Sequence, residues 1–200
     1  LSSRNFTATL DLSGGLDAIR SGMSRVWRQN LQSATGKHRL ERRFVTDPAG
    51  RRAALERFKP MHERTAKRKG FAVAIDVDAF KDVVATDERY VIVEILQGRE
   101  VIAVRIAHVA ARLMTDFFAA SNDVARGTAA NYLAVWSLLE YAVEHGLEAF
   151  DTGGADPRGN EGVFRFKWGL TRAFVQSDPL WIYSRCPALR RVAGLLLTWK

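Results

Sequence analysis

Three apolar, β-branched runs in the middle of the chain constrain its fold more than anything else in the sequence. Residues 90–96 and 101–109 are separated by Gln97, Gly98, Arg99 and Glu100, and residues 113–120 follow closely. Runs of this length joined by short polar turns read as an antiparallel meander. A meander has an apolar face that must be covered, so the flanking sequence has to supply helices.

Downstream, Thr128 is placed to cap a helix whose buried side carries Leu133, Trp136, Leu139, Tyr141, Ala142 and Val143, with Gly146 as its stop. Residues 147–150 then read as a strand opening into a glycine-rich loop, followed by a short amphipathic segment over 163–169. A strand over 174–183, interrupted by Pro179, and a last helix from Pro187 complete this half. Upstream, Phe6, Ala8, Leu10 and Leu12 alternate with polar residues as in a half-buried strand. Leu16, Ile19, Met23, Val26, Trp27, Leu31 and Ala34 recur at helical spacing up to Gly36, leaving Arg20, Arg25, Arg28 and Gln32 outside. A basic stretch over 37–43 leads to a second helix over 49–69, bent near Pro60 and ended by Gly70. Residues 71–75 fit a brief strand and 78–85 a short helix. Strand, two helices, meander, helix, strand, short helix, strand is neither a βαβ series nor a sandwich. It predicts an α+β fold with a mixed sheet flanked by helices, in a single domain over 1–200.

Two hundred residues, 47% of them hydrophobic, suffice for one domain with a real core. The one cysteine, Cys186, excludes an internal disulfide framework and a thiolate metal cluster, and fits a reducing compartment. The first residues do not have the pattern of a signal peptide, and no apolar run approaches the roughly 18 residues of a spanning helix. A cytoplasmic, soluble protein is the expectation. The net charge of +8 is uneven: residues 1–70 hold 16 Lys and Arg against 6 Asp and Glu, whereas residues 71–170 hold 9 against 15. The first third therefore presents a cationic surface, suited to phosphates of RNA, nucleotide-linked sugars or anionic lipid as well as to plain solubility.

Absent motifs narrow the chemistry. The chain has no G-x-x-x-x-G-K-[ST], H-E-x-x-H, G-x-S-x-G or strand-linked G-x-G-x-x-G, which argues against P-loop, zinc-hydrolase and triad mechanisms. His38, His62, His108 and His145 are scattered without ligand spacing, and no metal is expected. The most unusual stretch is 149–170. Asp151 precedes Gly153 and Gly154, and a strand end that opens into paired glycines lets backbone approach a ligand closely. Phe164, Arg165, Phe166, Lys167 and Trp168 then alternate aromatics with cations. A lysine held among aromatics can pin a phosphate or stabilise a developing oxyanion. The bland alternative is a surface turn whose aromatics plug the core and whose lysine is solvated.

The run Asn131, Tyr132, Leu133, Trp136, Tyr141, Ala142, Gly146, Asp151, Gly153, Gly154, Gly162, Val163, Phe164, Arg165, Phe166, Lys167 and Gly169 resembles the Fem family of peptidoglycan peptidyltransferases, which have a GNAT-like acyltransferase fold. Asp11, Leu12, Ser13, Trp27, Arg28, Asn30, Leu31 and Ala34 look like the same family's first strand and helix. The resemblance implies transfer of an aminoacyl group from aminoacyl-tRNA to an amine on a nucleotide- or lipid-linked peptidoglycan precursor. It places Lys167 at the reacting ester and stacks Phe166 beside it; Asp151 is a candidate base. Arg165, Gly153, Gly154, Tyr132 and Arg28 are the expected substrate contacts. No tightly bound cofactor is implied, aminoacyl-tRNA or acyl-CoA being a co-substrate. The resemblance departs from the family in two respects. Such enzymes usually have two GNAT-like domains, which would make this chain the C-terminal half of one. Trp168, Gly169, Leu170 and Thr171 also follow Lys167 where Phe-Gly-Gly is usual.

Two other functions fit the same residues. An acyl-CoA-dependent GNAT enzyme acting on a sugar or small amine would need a glycine-rich pyrophosphate loop, yet residues 121–128 contain only Gly127. A non-enzymatic RNA- or membrane-surface-binding module would rest on residues 1–70 and the cationic tail with Arg185, Arg190, Arg191 and Lys200. There Leu195, Leu196, Leu197 and Trp199 offer a peripheral membrane contact.

Overall fold

A computed structural model describes residues 6–70 and 76–176. In chain order the elements are β1 (Phe6–Asp11), α1 (Gly15–Gly22), α2 (Arg25–Thr35), β2 (Glu41–Val45), α3 (Pro48–Lys69), α4 (Val77–Thr86), β3 (Tyr90–Gln97), β4 (Glu100–Ala110), β5 (Leu113–Ser121), α5 (Asp123–Gly127), α6 (Ala130–Glu144), β6 (Ala149–Ala155), α7 (Glu161–Leu170) and β7 (Phe174–Gln176). The seven strands form one sheet in the order β2-β3-β4-β5-β6-β1-β7. The meander forms as expected, and the sheet is mixed because β5 and β6 run parallel.

That parallel pair determines where a site can be. β5 and β6 are in register only from Leu113 and Ala149 to Thr115 and Asp151. Beyond those residues β5 stays with β4 as far as Ser121, while β6 stays with β1 as far as Ala155. The sheet therefore opens into a wedge.

Two apolar clusters cover the faces. On one side Trp27 and Leu31 of α2 and Leu138 and Leu139 of α6 pack on Val93, Ile95 and Phe150. On the other, Leu55 and Phe58 of α3 and Val84 of α4 pack on Ile92, Val104 and Ile106. Burying this many large aliphatic and aromatic side chains, at about 2 kcal/mol each, is what holds helices to sheet. Beneath α3, the fully buried Glu94 of β3 accepts from Arg57 Nε at 2.8 Å and from Arg43 Nε of β2 at 3.0 Å, which ties an edge strand and a helix to one carboxylate.

Four local expectations need correction. The single helix over 16–34 is two, because Ser24 turns extended and its hydroxyl caps Trp27 N at 3.2 Å; Ser side chains favour caps over helix interiors. The basic stretch over 37–43 runs into the edge strand β2, whose arginines find tertiary carboxylates that no local pattern reveals. Thr128 does not cap α6: its hydroxyl donates to Val124 O at 3.1 Å, and α6 begins after Ala129 in the left-handed region at φ +60°. Gly153 and Gly154 do not form a loop but continue β6, so Asp151 lies within that strand. α3 runs unbroken through Pro60 and ends at Gly70, φ +69°. The expected strand over 71–75, the strand residues beyond 176 and the helix from Pro187 lie outside the described residues. Among the described residues no helix is long and apolar enough to cross a membrane.

Candidate active site

Strand β6 brings the paired glycines to the mouth of the wedge. Asp151 Oδ1 accepts from Gly153 N at 2.8 Å and from the hydroxyl of Thr7 on β1, which fixes the strand where it bends. Gly153 sits at φ +73°, and a Cβ there would lie 2.9 Å from Asp116 O, so glycine is required both for conformation and for space. The bend turns two consecutive carbonyls toward α7: Lys167 Nζ donates to Gly153 O at 3.0 Å and to Gly154 O at 2.7 Å.

Helix α7 is held by its own glycine. Ser24 N donates to Gly169 O at 2.8 Å, and a Cβ at Gly169 would lie 3.1 Å from both Ser24 Oγ and Trp27 Cδ1. This close approach seats Phe166 against Trp27 and Tyr132, with ring centroids 5.8 and 4.9 Å away. The aromatic wall leaves Lys167 only 7% exposed. Burial pushes its ammonium down to about 8, against the pull of Asp116 and Asp151 and with the help of Arg105. Asp116, enclosed on β5, is pushed up by burial and drawn back by Arg105 and Lys167. Arg105 of β4 places Nε 3.1 Å from Asp116 Oδ1 and its guanidinium carbon 5.9 Å from the Phe166 ring centroid.

These groups line a cavity of about 440 Å³ enclosed by α3, β4, β5, α5, α6 and α7. Arg105 and Lys167 are at its wall together with Tyr132 and Phe166, and Arg68, Lys69 and Arg126 also line it. Among the described residues no carboxylate belongs to the lining, although Asp123 pairs with Arg68 and Arg126 nearby. The cavity is a cationic, partly apolar cleft suited to a ligand that carries phosphates. Helix α6 starts there at Ala129 with no side-chain cap, so the positive end of its dipole lies at the cleft, although Tyr132 N is taken by Ala129 O at 3.0 Å.

The expected site residues divide into two groups. Lys167, Phe166 and Tyr132 line the cavity, Gly153 and Gly154 hold the lysine, and Asp151 anchors that strand from behind. Arg165 lies outside the cavity on the exposed side of α7, paired with Glu161 at 2.6 Å. Arg28 lies apart on α2, where Nη1 donates to Met23 O at 2.6 Å and closes the end of α1. Arg105 and Asp116 were not anticipated. The signal was present in the sequence, since each is a charge inside an apolar strand run, but the run alone does not say that the two face each other.

A mixed seven-stranded sheet, parted between parallel neighbours and flanked by helices, is the layout of acyltransferase enzymes built on the acyl-CoA N-acyltransferase-like fold. Residues 21–167 match the family model described as Acetyltransferase (GNAT) domain, and the chain belongs to that family. The non-enzymatic alternative is set aside by that membership. Among solved structures the chain is similar to FemX, with a TM-score of 0.68 and 15% identity over 82% of this chain and 58% of that one. It is similar to the C-terminal domain of an Agrobacterium fabrum protein described as a lysylphosphatidylglycerol synthetase, with a TM-score of 0.59 and 15% identity over 85% and 57%. It is also similar to the aminoglycoside acetyltransferase meta-AAC0020 from an uncultured soil metagenomic sample, with a TM-score of 0.57 and 10% identity over 76% and 99%. The chain thus spans less than two thirds of the first two. No curated protein sequence matches it significantly.

Proposed function

We propose that this domain is an acyltransferase of the Fem type, moving an aminoacyl group from aminoacyl-tRNA to an amine of a peptidoglycan precursor peptide. The observation that carries the reading is Lys167, held by two glycine carbonyls on the wall of a cationic cleft that no carboxylate lines among the described residues. An amine attacks the ester carbonyl carbon, the carbonyl oxygen becomes an oxyanion, and the terminal ribose oxygen of the tRNA leaves. Two of the three ammonium hydrogens of Lys167 are used by Gly153 and Gly154, and the third is assigned to that oxyanion. A fixed donor of this kind in a water-poor site stabilises the transition state by about 3 kcal/mol. The proton that the amine loses is assigned to the departing ribose oxygen, while Asp151, whose Oδ1 is engaged by Thr7 and Gly153, positions the strand whose carbonyls hold Lys167. Phe166 and Tyr132 flank the ester, and the donor's phosphates lie toward Arg68, Lys69, Arg126 and the start of α6. Structural likeness to FemX supports a Fem-like fold, and the aminoacyl donor and cell-wall acceptor rest on the resemblance of residues 131–169 to that family.

A second reading, acyl-CoA-dependent transfer to a sugar or small amine, is favoured by the acetyltransferase family match and by likeness to an aminoglycoside acetyltransferase. The same cations and the same uncapped helix would hold a pyrophosphate. Purified protein given radiolabelled aminoacyl-tRNA or acetyl-CoA, each with precursor peptide or an aminoglycoside, separates the two readings. Label moving from tRNA to peptide is the expected result, and label moving only from acetyl-CoA would overturn it.

A further inference from the structure

Arg105 is 8% exposed and lies on the cavity wall, yet its guanidinium is underused. Nη1 has no hydrogen-bond partner, and Nε lies 3.1 Å from Asp116 Oδ1 without the alignment of a hydrogen bond. Asp116 Oδ1 is likewise unpartnered. A buried guanidinium whose donors are idle is costly unless a ligand uses them. The proposed mechanism assigns no task to Arg105, although its guanidinium carbon lies 5.9 Å from the ring centroid of Phe166, the residue next to Lys167 in sequence.

We infer that Arg105 is a specificity residue that binds a carboxylate of the acceptor substrate, set close to the amine that is acylated. The inference rests on the reading of the cleft as an acyltransferase site. A guanidinium offers paired N–H groups in a plane, which match the two oxygens of a carboxylate. The donor's phosphates have their own partners in Arg68, Lys69, Arg126 and the start of α6. Arg105 arises from the middle of β4, opposite Ala119 of β5, and faces Phe166, so the group it binds sits beside the reacting centre. An anion there also offsets the surplus positive charge of Arg105 and Lys167 over the single buried Asp116. The substrate class is an amine-bearing amino acid or peptide residue with a carboxylate on the carbon that carries the amine. A plain alkylamine lacks the matching group and leaves the guanidinium unpaired, which is the strongest kind of discrimination a polar site provides.

Two synthetic stem tripeptides test this, one ending in lysine and the other in meso-2,6-diaminopimelate, which differ by one carboxylate on the carbon bearing the acceptor amine. Binding of each is measured by calorimetry with the wild type, Arg105→Lys and the double variant Arg105→Gln, Asp116→Asn, which removes both charges together should the single change fail to fold. The wild type should bind the diaminopimelate peptide at least tenfold more tightly, and both variants should erase the preference while holding the lysine peptide within about threefold. Equal binding of the two peptides by the wild type, no binding of either, or a preference that survives in the variants overturns the inference. Transfer from aminoacyl-tRNA is measured in parallel. Discrimination in binding without transfer keeps the carboxylate site and refutes the proposed reaction; transfer without discrimination does the reverse.

Discussion

Lys167 is subject to two opposing demands. Burial holds its ammonium near 8, yet the ammonium is the form that steadies an oxyanion. With an acceptor amine already neutral at pH 7, the rate of transfer should fall as pH rises through about 8; a rate that climbs across that range means the lysine works as a base. The same group links to folding. Its folded value lies below the ordinary 10.5, so between about 8 and 10.5 the unfolded chain holds more protons and stability from this group rises with pH. Lys167→Met should flatten that rise in a denaturant titration. Gly153→Ala puts a methyl 2.9 Å from Asp116 O at φ +73°, and should cost about 1–3 kcal/mol and misplace the carbonyl that holds Lys167. The residue types of this site were legible because glycines, aromatics and a lysine stand together over 153–169. The burial of the lysine was not, since it depends on Trp27 and Tyr132 arriving from other helices. Arg105 and Asp116 escaped for the same reason, each reading as an isolated charge in its own strand.

At the scale of elements, the meander, its hairpin turn at Gly98 and the helix over 77–86 follow from patterns complete within a few residues. The errors fall where a tertiary partner decides. Ser24 splits a continuous helical stripe because capping α2 there lets Gly169 of α7 dock, so Ser24→Ala should lower stability by about 1 kcal/mol and also weaken the seat of α7. A melting curve and the transfer rate should move together. β2 looked like a solvated basic stretch, yet Arg43 of that strand and Arg57 of α3 converge on Glu94, which is fully buried. Removing the charge from a buried, doubly paired carboxylate leaves two guanidiniums without their partner. Glu94→Gln should therefore shift the denaturant midpoint by an amount equivalent to about 3 kcal/mol, with the shift unaffected by moderate salt.

Over the whole molecule, the uneven charge seen in the sequence has a place. The last turns of α3 carry Arg64, Lys67, Arg68 and Lys69, of which Arg68 and Lys69 line the cavity, so the basic first third leads an anionic donor to the wedge. Lys67→Glu with Lys69→Glu should weaken tRNA binding at low salt and reduce the slope of log affinity against log salt by about 2. Arg28 is a poorer probe of that surface than the sequence suggested, because it closes the end of α1 and its reversal disturbs the fold. The α+β class and the order of elements were readable from periodicity. The wedge was not, because it depends on where a parallel ladder of three residue pairs stops.

Stabilisation of acyl transfer by the Lys167 ammonium at the wedge is tested by single-turnover transfer from aminoacyl-tRNA with Lys167→Met. The expected rate constant is about 100-fold or more below that of the wild type, with the circular dichroism spectrum unchanged. A folded variant that transfers within threefold of the wild-type rate would contradict it.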